Sequence, residues 1–411
     1  MCSTGSGVPA VESGPGSAEA GENVRRLRRW RSMDQATLAG LAGRSQSWLS
    51  RVESGRLRLD RTTDVEALAA ALEVHPGDVT GRPHRPAGGR TYEIDALLPA
   101  IRVALVDDVP DARPRQVAEL AGRVQHLSRL MWRDGDLTGL AAALPEVLGE
   151  VRLAAADGGT EEDRQQALQL LAVVTSVAFP MLKNLGHTDL ALVAANRSVA
   201  AADELGDPLW RAYAGFRRSH ALVPAGSPAR ALEVARRAVD QLEPHLGDDP
   251  AALRMFGMTH LTAALWAARA GQQDVTATHL AAAEEVAGRL GEDGEFFDIV
   301  FGPNQVRIHR VGIAAQLGEG DRAPELARKV DTAAVPAVHR AMLAANLGHG
   351  LGQARRGDDA VRALREAERI APQRMRTSQH MRSLVMAVLG QRMRPASLRE
   401  LRGLAYRVGI G

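Results

Sequence analysis

Residues 34–55 read DQATLAGLAGRSQSWLSRVESG, and they decide the fold of the N-terminal part of the chain. Asp34 is a good N-cap for one short helix, and Ser45 can cap a second helix in the same way. Between the two helices, Gly43 supplies the permissive backbone that a tight turn requires. Gly55 follows the second helix, where a left-handed residue commonly ends a helix. The stretch therefore predicts two short helices joined by a tight turn.

The side chains of this stretch fit close packing of the two helices. Ala39 is small where the helices must cross, and Leu49 and Val52 form an apolar face on the second helix. A basic helix precedes the pair and an LAAALEV helix follows it. Together, residues 20–79 resemble the DNA-binding domain of the phage-repressor family (Cro/C1, or XRE). The resemblance implies a five-helix domain over residues 21–80 that binds duplex DNA.

In that family the second helix lies in the major groove, and its N-terminal residues reach the base edges. The resemblance therefore implies that the base-reading residues are Gln46, Ser47, Ser50 and Arg51. A glutamine amide can pair with adenine, and an arginine with guanine. For the two serines, plain surface exposure or a phosphate contact is an equally open interpretation.

A second set of residues is expected at the DNA backbone, where contacts position the protein without reading sequence. This set comprises Gln35, Arg44, Trp48, Arg56, Arg58 and Arg61. Gln35 resembles a family glutamine that holds a phosphate and braces the recognition helix, and packing is the favoured alternative for Trp48. Arg28 and Glu53 match a family pair that ties the first helix to the recognition helix, so we expect a structural role for them.

The rest of the chain predicts a second, larger helical domain. A length of 411 residues far exceeds one such module, aromatic residues make up only 3%, and the helix-favouring residues alanine, leucine and arginine are abundant. Residues 21–90 hold 13 arginines against 8 acidic residues, whereas residues 91–411 are nearly balanced with 38 basic and 39 acidic residues. The basic excess thus lies where phosphate contact is expected.

Polar turns recur along this second part and divide it into pairs of helices. They fall near Asp136, Asp189, Ser227, Asp274, Asp321, Asp358 and Pro395. Each turn precedes a helix with small alanines on a repeating face, which favours close stacking into a superhelix. Residues 113–408 resemble degenerate tetratricopeptide repeats, with an irregular helical bundle as the alternative. We therefore expect an all-α protein: a disordered leader (1–20), a helix-turn-helix domain (21–80), a linker (81–90) and a tetratricopeptide-like α-solenoid (91–411) that senses and dimerises.

The combination of an XRE-type head and a repeat body resembles regulators of high-GC Gram-positive bacteria. This implies a dimeric transcription regulator on a palindromic operator, modulated by a peptide or small molecule bound in the repeat domain. Candidate ligand-binding residues are polar groups within apolar helices: Asn304, Arg307, Asn346 and Arg217. The alternative is an interaction scaffold or an effector-free regulator, in which the repeat domain binds a partner protein or only dimerises.

Other functional classes find little support in the sequence. It contains no HExxH, P-loop or nucleophile-elbow motif, so we expect no enzyme, no cofactor and no metal site. The single cysteine, Cys2, excludes an internal disulfide. Residues 1–20 lack the basic start of a signal peptide, and no apolar run reaches the length of a membrane span, so a cytoplasmic protein is expected.

Overall fold

The computed structural model describes residues 15–59, 61–81, 94, 96–107, 115–157, 159–224 and 226–410. These residues form two compact units. The first contains the described residues up to Gly81 together with those from Arg392 onward, and the second contains those from Ile94 to Gln391. The predicted linker lies outside the described residues except for Gly81.

The first unit is a small all-helical domain. Its helices are α1 (Pro15–Trp30), α2 (Gln35–Leu41), α3 (Gln46–Glu53), α4 (Thr62–Leu72) and α5 (Pro76–Thr80), with the C-terminal helix α21 (Pro395–Arg407). Residues 1–14 of the predicted leader lie outside the described residues. From Pro15 onward the chain is helical, and Ala20 is already buried, so the leader prediction was wrong for residues 15–20. Alanine and glutamate at 18–20 favour helix, and burial against the domain stabilises it.

The core of the first unit is made by apolar side chains from five of its helices, α1 to α5. Its fully buried members include Val24, Leu38, Leu49, Val52 and Leu68. Fully burying one such side chain contributes roughly 1.5–3 kcal/mol. The core therefore holds α3 against α1 and α2 with one face inward.

The C-terminal helix α21 packs against the N-terminal helices of the first unit. A β-carbon on Gly403 would lie only 2.5 Å from the carbonyl oxygen of Glu73, so the helix approaches the α4–α5 corner with no room for a side chain there. Tyr406 donates a hydrogen bond to Glu66 (3.2 Å) and meets His75 edge-on, with ring centroids 5.3 Å apart. The compact units thus divide differently from the predicted boundary at residues 91–411, because this packing joins distant parts of the chain.

The second unit consists of helices and one short hairpin. The helices are α6 (Leu98–Val106), α7 (Val117–Arg129), α8 (Leu137–Asp157), α9 (Glu161–Asn184), α10 (Thr188–Leu205), α11 (Pro208–Leu222), α12 (Pro228–Leu242), α13 (Pro250–Arg269), α14 (Gln273–Leu290), α15 (Pro303–Gln316), α16 (Ala323–Ala327), α17 (Ala337–Gln353), α18 (Gly357–Ile370), α19 (Pro372–Thr377) and α20 (Gln379–Leu389). Strands β1 (Gly294–Phe296) and β2 (Ile299–Phe301) pair antiparallel between α14 and α15.

These helices stack as consecutive hairpins in two rows. One row, which we call the inner row, is α9, α11, α13, α15, α17 and α20, and each member contacts the next. The partner helices α10, α12, α14 and α18 each pack on the helix that precedes them in the chain. All seven predicted turns fall within two residues of a helix start, as at Ser227 before α12. The predicted all-α fold with a helical repeat array is confirmed; the β-hairpin is its one departure among the described residues.

The central helix α9 explains an apparent exception to the sequence analysis. By length and composition alone it is apolar enough to cross a membrane, but 78% of its most apolar window is buried within the fold. It packs against α8, α10 and α11. Its apolar character is therefore that of a core helix.

Candidate nucleic-acid interface and candidate ligand residues

Local capping builds the two helices of the predicted motif. The Asp34 carboxylate accepts a hydrogen bond from the Thr37 amide (2.7 Å), and Ser45 Oγ accepts one from the Trp48 amide (3.2 Å). Gly43 lies in the left-handed region at φ +65°, a conformation that side chains rarely adopt. These three residues fix the turn and the direction in which α3 leaves it.

Helix α3 has one buried and one exposed face. Leu49 and Val52 are fully buried, as their spacing predicts. The four candidate base-reading residues, Gln46, Ser47, Ser50 and Arg51, are all exposed. The described side chains of α3 thus present amide, hydroxyl and guanidinium groups to solvent, the chemistry that reads base edges.

Glu53 anchors the end of α3 to the rest of the domain. Arg28 donates two hydrogen bonds to its carboxylate (2.6 and 2.9 Å), and Gln35 donates a third (2.9 Å). Arg25 donates to its backbone carbonyl (2.8 Å). Burial alone would raise the pKa of Glu53, but the hydrogen bonds from Arg28 and Gln35 and the charges of Arg28 and Arg25 outweigh burial and lower it. The carboxylate therefore stays ionised.

This bonding places Gln35 and the Arg28–Glu53 pair within the framework of the domain. Gln35 braces the recognition helix through Glu53, the role that the family resemblance implies; its phosphate contact remains a prediction. Sequence reasoning missed Gly21, where a β-carbon would lie 2.2 Å from the carbonyl oxygen of Val52. Close approach of α1 and α3 thus requires a glycine at position 21. The contact joins residues about 30 positions apart, so the local sequence does not reveal it.

The remaining candidates for contact with the DNA backbone differ in whether they already have partners within the protein. Arg44 pairs with Asp64 on α4, with its Nε 3.1 Å from the carboxylate, and its guanidinium lies 5.4 Å from the centre of the Trp48 ring. Trp48 is half-buried against the core, in keeping with packing. The three arginines that follow α3 are exposed: Arg56, Arg58 and Arg61. They are the stronger candidates for phosphate contact.

Three of the four candidate ligand residues serve the fold of the second unit. Asn304 is buried, and its amide oxygen accepts hydrogen bonds from Arg307 (3.0 Å) and from the Asp331 amide (3.1 Å). Arg217 is buried and pairs with Asp298 on the β-hairpin, and it donates to Ser176 Oγ (2.6 Å). The structure therefore gives these polar groups partners inside the protein.

Asn346 differs from these three because it lines a cavity of about 400 Å³ on the inner row. The structure also brings Lys183 and Arg374 to this cavity, and sequence reasoning did not select either of them. They lie far apart in the chain, so no local pattern could join them. The one available signal was that Lys183 is one of only two lysines in the protein.

Comparison with known proteins bears on the first unit. Residues 19–81 match the family model described as "Helix-turn-helix domain". A search of curated proteins found no match. Among solved structures, the crystal structure of Bacillus thuringiensis PlcR in complex with the peptide PapR7 and DNA is similar over 91% of this chain and 100% of that chain, at 11% sequence identity and a TM-score of 0.30. The domain match and the geometry of α2 and α3 agree, and the N-terminal unit of this chain is a helix-turn-helix DNA-binding domain.

Proposed function

We propose that the protein is a sequence-specific transcription regulator that binds a palindromic operator as a homodimer and whose DNA affinity is modulated by a peptide or small-molecule ligand in the helical repeat unit. One observation carries the proposal: Gln46, Ser47, Ser50 and Arg51 form an exposed polar face on a helix whose position is fixed by Glu53. A rigid scaffold beneath a polar surface is what direct base readout requires.

Dimerisation follows from the small size of the reading element. Helix α3 has eight residues, and a single helix of this kind contacts only a few base pairs. Two copies in successive major grooves, about 34 Å apart, would double the readout and give an operator with two-fold symmetry. We assign the dimer contact to the helical repeat unit, since it offers the larger surface.

Ligand modulation is the role proposed for the second unit. A ligand that favours one arrangement of this unit changes operator affinity only by its differential affinity for the two states. Coupling of about 1–3 kcal/mol corresponds to a change of roughly 5- to 150-fold, which is enough for a switch. The proposed regulator is cytoplasmic, and no catalytic step enters the proposal.

The operator is the first thing to determine. Selection from a random DNA library with the full chain, followed by a gel-shift assay, should yield a two-fold-symmetric sequence. Gln46→Ala and Arg51→Ala should each weaken operator binding by about 5- to 150-fold, the equivalent of roughly 1–3 kcal/mol for a lost base contact. Gln165→Ala and Arg362→Ala, at exposed positions of the second unit, are the matched controls.

The outcomes discriminate between the alternatives. Unchanged binding by both Gln46→Ala and Arg51→Ala would show that α3 does not read the bases. An operator without symmetry, bound by one copy, would refute the dimer. A full response in cells that requires a partner protein and no small ligand would favour the interaction scaffold.

A further inference from the structure

The cavity on the inner row is built from most of the repeat array. Helices α9, α11, α13, α15, α17 and α20 all contribute to its wall, so it is a feature of the stacked fold and not of one loop. Its volume of about 400 Å³ falls within the range of roughly 300–1,000 Å³ that small-molecule sites occupy.

The charged side chains that line this cavity are all cationic. Lys183, Arg269 and Arg374 line it, and its described lining residues include no aspartate or glutamate. The Asp298 carboxylate, the partner of Arg217, is already engaged, because Trp132 (2.9 Å), Tyr213 (2.5 Å) and Arg217 all donate to it. It is therefore not available to neutralise the cations that face the cavity.

The surroundings of Lys183 and Arg374 disfavour the charged forms of these side chains. Burial, and then the charges of Arg374, Arg269 and Arg217, lower the pKa of Lys183 to about 8. Burial, with a contribution from Arg217, lowers the pKa of Arg374 to about 10. Nη1 of Arg374 is buried and has no hydrogen-bond partner among the described residues. Lys183 and Arg374 are half-buried, and neither forms an ion pair with a carboxylate among the described residues. Burying part of a cation without an anionic partner is costly, so their presence calls for a compensating group.

Several other residues of the wall are apolar. Leu265, Trp266, Met342, Met375 and Met381 contribute to it. Methionine side chains are flexible and polarisable and adapt to ligands of varied shape. The cavity thus combines cationic side chains with apolar ones that a hydrocarbon or aromatic body can cover.

We infer that this cavity binds a small organic anion with an apolar body, whose carboxylate or phosphate is held by Lys183, Arg269 and Arg374. Asn346 and the neutral imidazoles of His220 and His309 add hydrogen-bonding groups to the same wall. The inference names the chemical class of the effector and in that sense rests on the proposed ligand modulation. An ionised head paired with these cations forms the stronger, charge-assisted kind of hydrogen bond.

Four eight-carbon probes of matched shape test the inference with the full chain and without DNA. Isothermal titration calorimetry with octanoate and with octyl phosphate is expected to show binding at least tenfold tighter than with octanol or octylammonium. Comparison of the two anions then tells whether a carboxylate or a phosphate is preferred. The inference is overturned if neither anion binds up to millimolar concentration, or if the neutral or cationic probe binds as well as the anions.

Substitutions of cavity residues test whether the anion binds in this cavity. Lys183→Met and Arg374→Met should each weaken binding of the better anion at least tenfold, whereas Lys329→Met alters the only other lysine, an exposed side chain outside the cavity, and should leave binding unchanged. Because Lys183 is charged in an unfavourable place, Lys183→Met should also raise the midpoint of thermal unfolding without ligand. A purely structural lysine would give the reverse pattern, a lower midpoint with unaltered anion binding, and that result would refute the inference.

The DNA measurement is kept separate so that the two proposals fail independently. If the anion binds as described but leaves operator affinity unchanged, ligand modulation is refuted while the binding site stands. If operator binding is intact and no anion binds, the site is refuted while the DNA-binding function stands.

Discussion

Arg402, near the end of the chain, donates a hydrogen bond of 2.9 Å to Asp78 in helix α5, 324 residues earlier. The same C-terminal helix buries Leu401 and Leu404 and brings Glu400 within 3.5 Å of Arg31. Residues at the two ends of the chain therefore build one unit. The compact unit that contains the helix-turn-helix is built from the N-terminal helices together with α21.

The glycine at the centre of this contact gives the first prediction. In Gly403→Ala the new methyl group would lie 2.5 Å from a backbone oxygen that cannot move aside cheaply. We expect a loss of about 1–3 kcal/mol in the stability of the first unit, the usual cost of overpacking. Hydrogen exchange followed by mass spectrometry on the peptides of α1, α4 and α5 should show faster exchange.

Gly288→Ala is the control for that experiment. Gly288 lies in α14, and a β-carbon there would meet nothing within 4 Å. Alanine in a helix is favoured over glycine by roughly 0.5–1 kcal/mol, so this variant should be neutral or slightly stabilised. Equal effects of the two variants would show that the contact at Gly403 does not matter.

Glu53 gives a second prediction, on the position of the recognition helix. Glu53→Gln keeps the size of the side chain but removes the charge that Arg28 and Arg25 meet. Loss of these charge-assisted bonds should destabilise the first unit by about 1.5–3 kcal/mol. Operator affinity should fall as well, although Glu53 itself is buried and touches no base. Unchanged hydrogen exchange in α3 would contradict this.

The lowered pKa of Glu53 gives a third prediction, with a defined sign. A carboxyl whose pKa is lower in the folded than in the unfolded protein adds stability above its ordinary value of 4.5, and this is lost as the pH falls through the lower folded value. Exchange in the α3 peptide, corrected for the intrinsic pH dependence, should therefore speed up below about pH 4.5. Glu53→Gln should lack this contribution, and an identical pH profile for the two proteins would exclude it.

The three exposed arginines after α3 give a fourth prediction. If Arg58 contacts a phosphate, Arg58→Gln should weaken binding to all DNA sequences alike and reduce the slope of log affinity against log salt by about 0.9. Gln46→Ala should leave that slope unaltered and change the preferred base instead. A salt slope that stays the same in Arg56→Gln, Arg58→Gln and Arg61→Gln would remove this loop from the interface.

A feature of the fold can be predicted from the sequence when the residues that form it are close together in the chain. The caps at Asp34 and Ser45 and the turn at Gly43 act over three or four residues, so their chemistry is legible in the sequence. The packing of Gly403 on the α4–α5 corner joins residues more than 300 positions apart, and nothing local signals it. Asn304 and Arg307 illustrate a different limit: their spacing of three suggests a shared ligand, but it equally lets the two side chains bond each other.

The network around Asp298 gives the last prediction. This carboxylate is fully buried on the β-hairpin and accepts hydrogen bonds from Tyr213 and Arg217 on α11 and from Trp132, which lies between α7 and α8. Asp298→Asn would leave the Arg217 guanidinium buried without its counter-charge, and such a loss typically costs about 3–5 kcal/mol.

The thermal unfolding midpoint of the full chain should therefore fall clearly in Asp298→Asn, and hydrogen exchange should rise in the peptide covering residues 294–301. Asp248→Asn, at a fully exposed carboxylate, controls for the loss of one negative charge and should change neither measurement. If Asp298→Asn were as stable as Asp248→Asn, the hairpin would be held by Phe301 and its apolar neighbours, and the buried ion pair would contribute little to the fold.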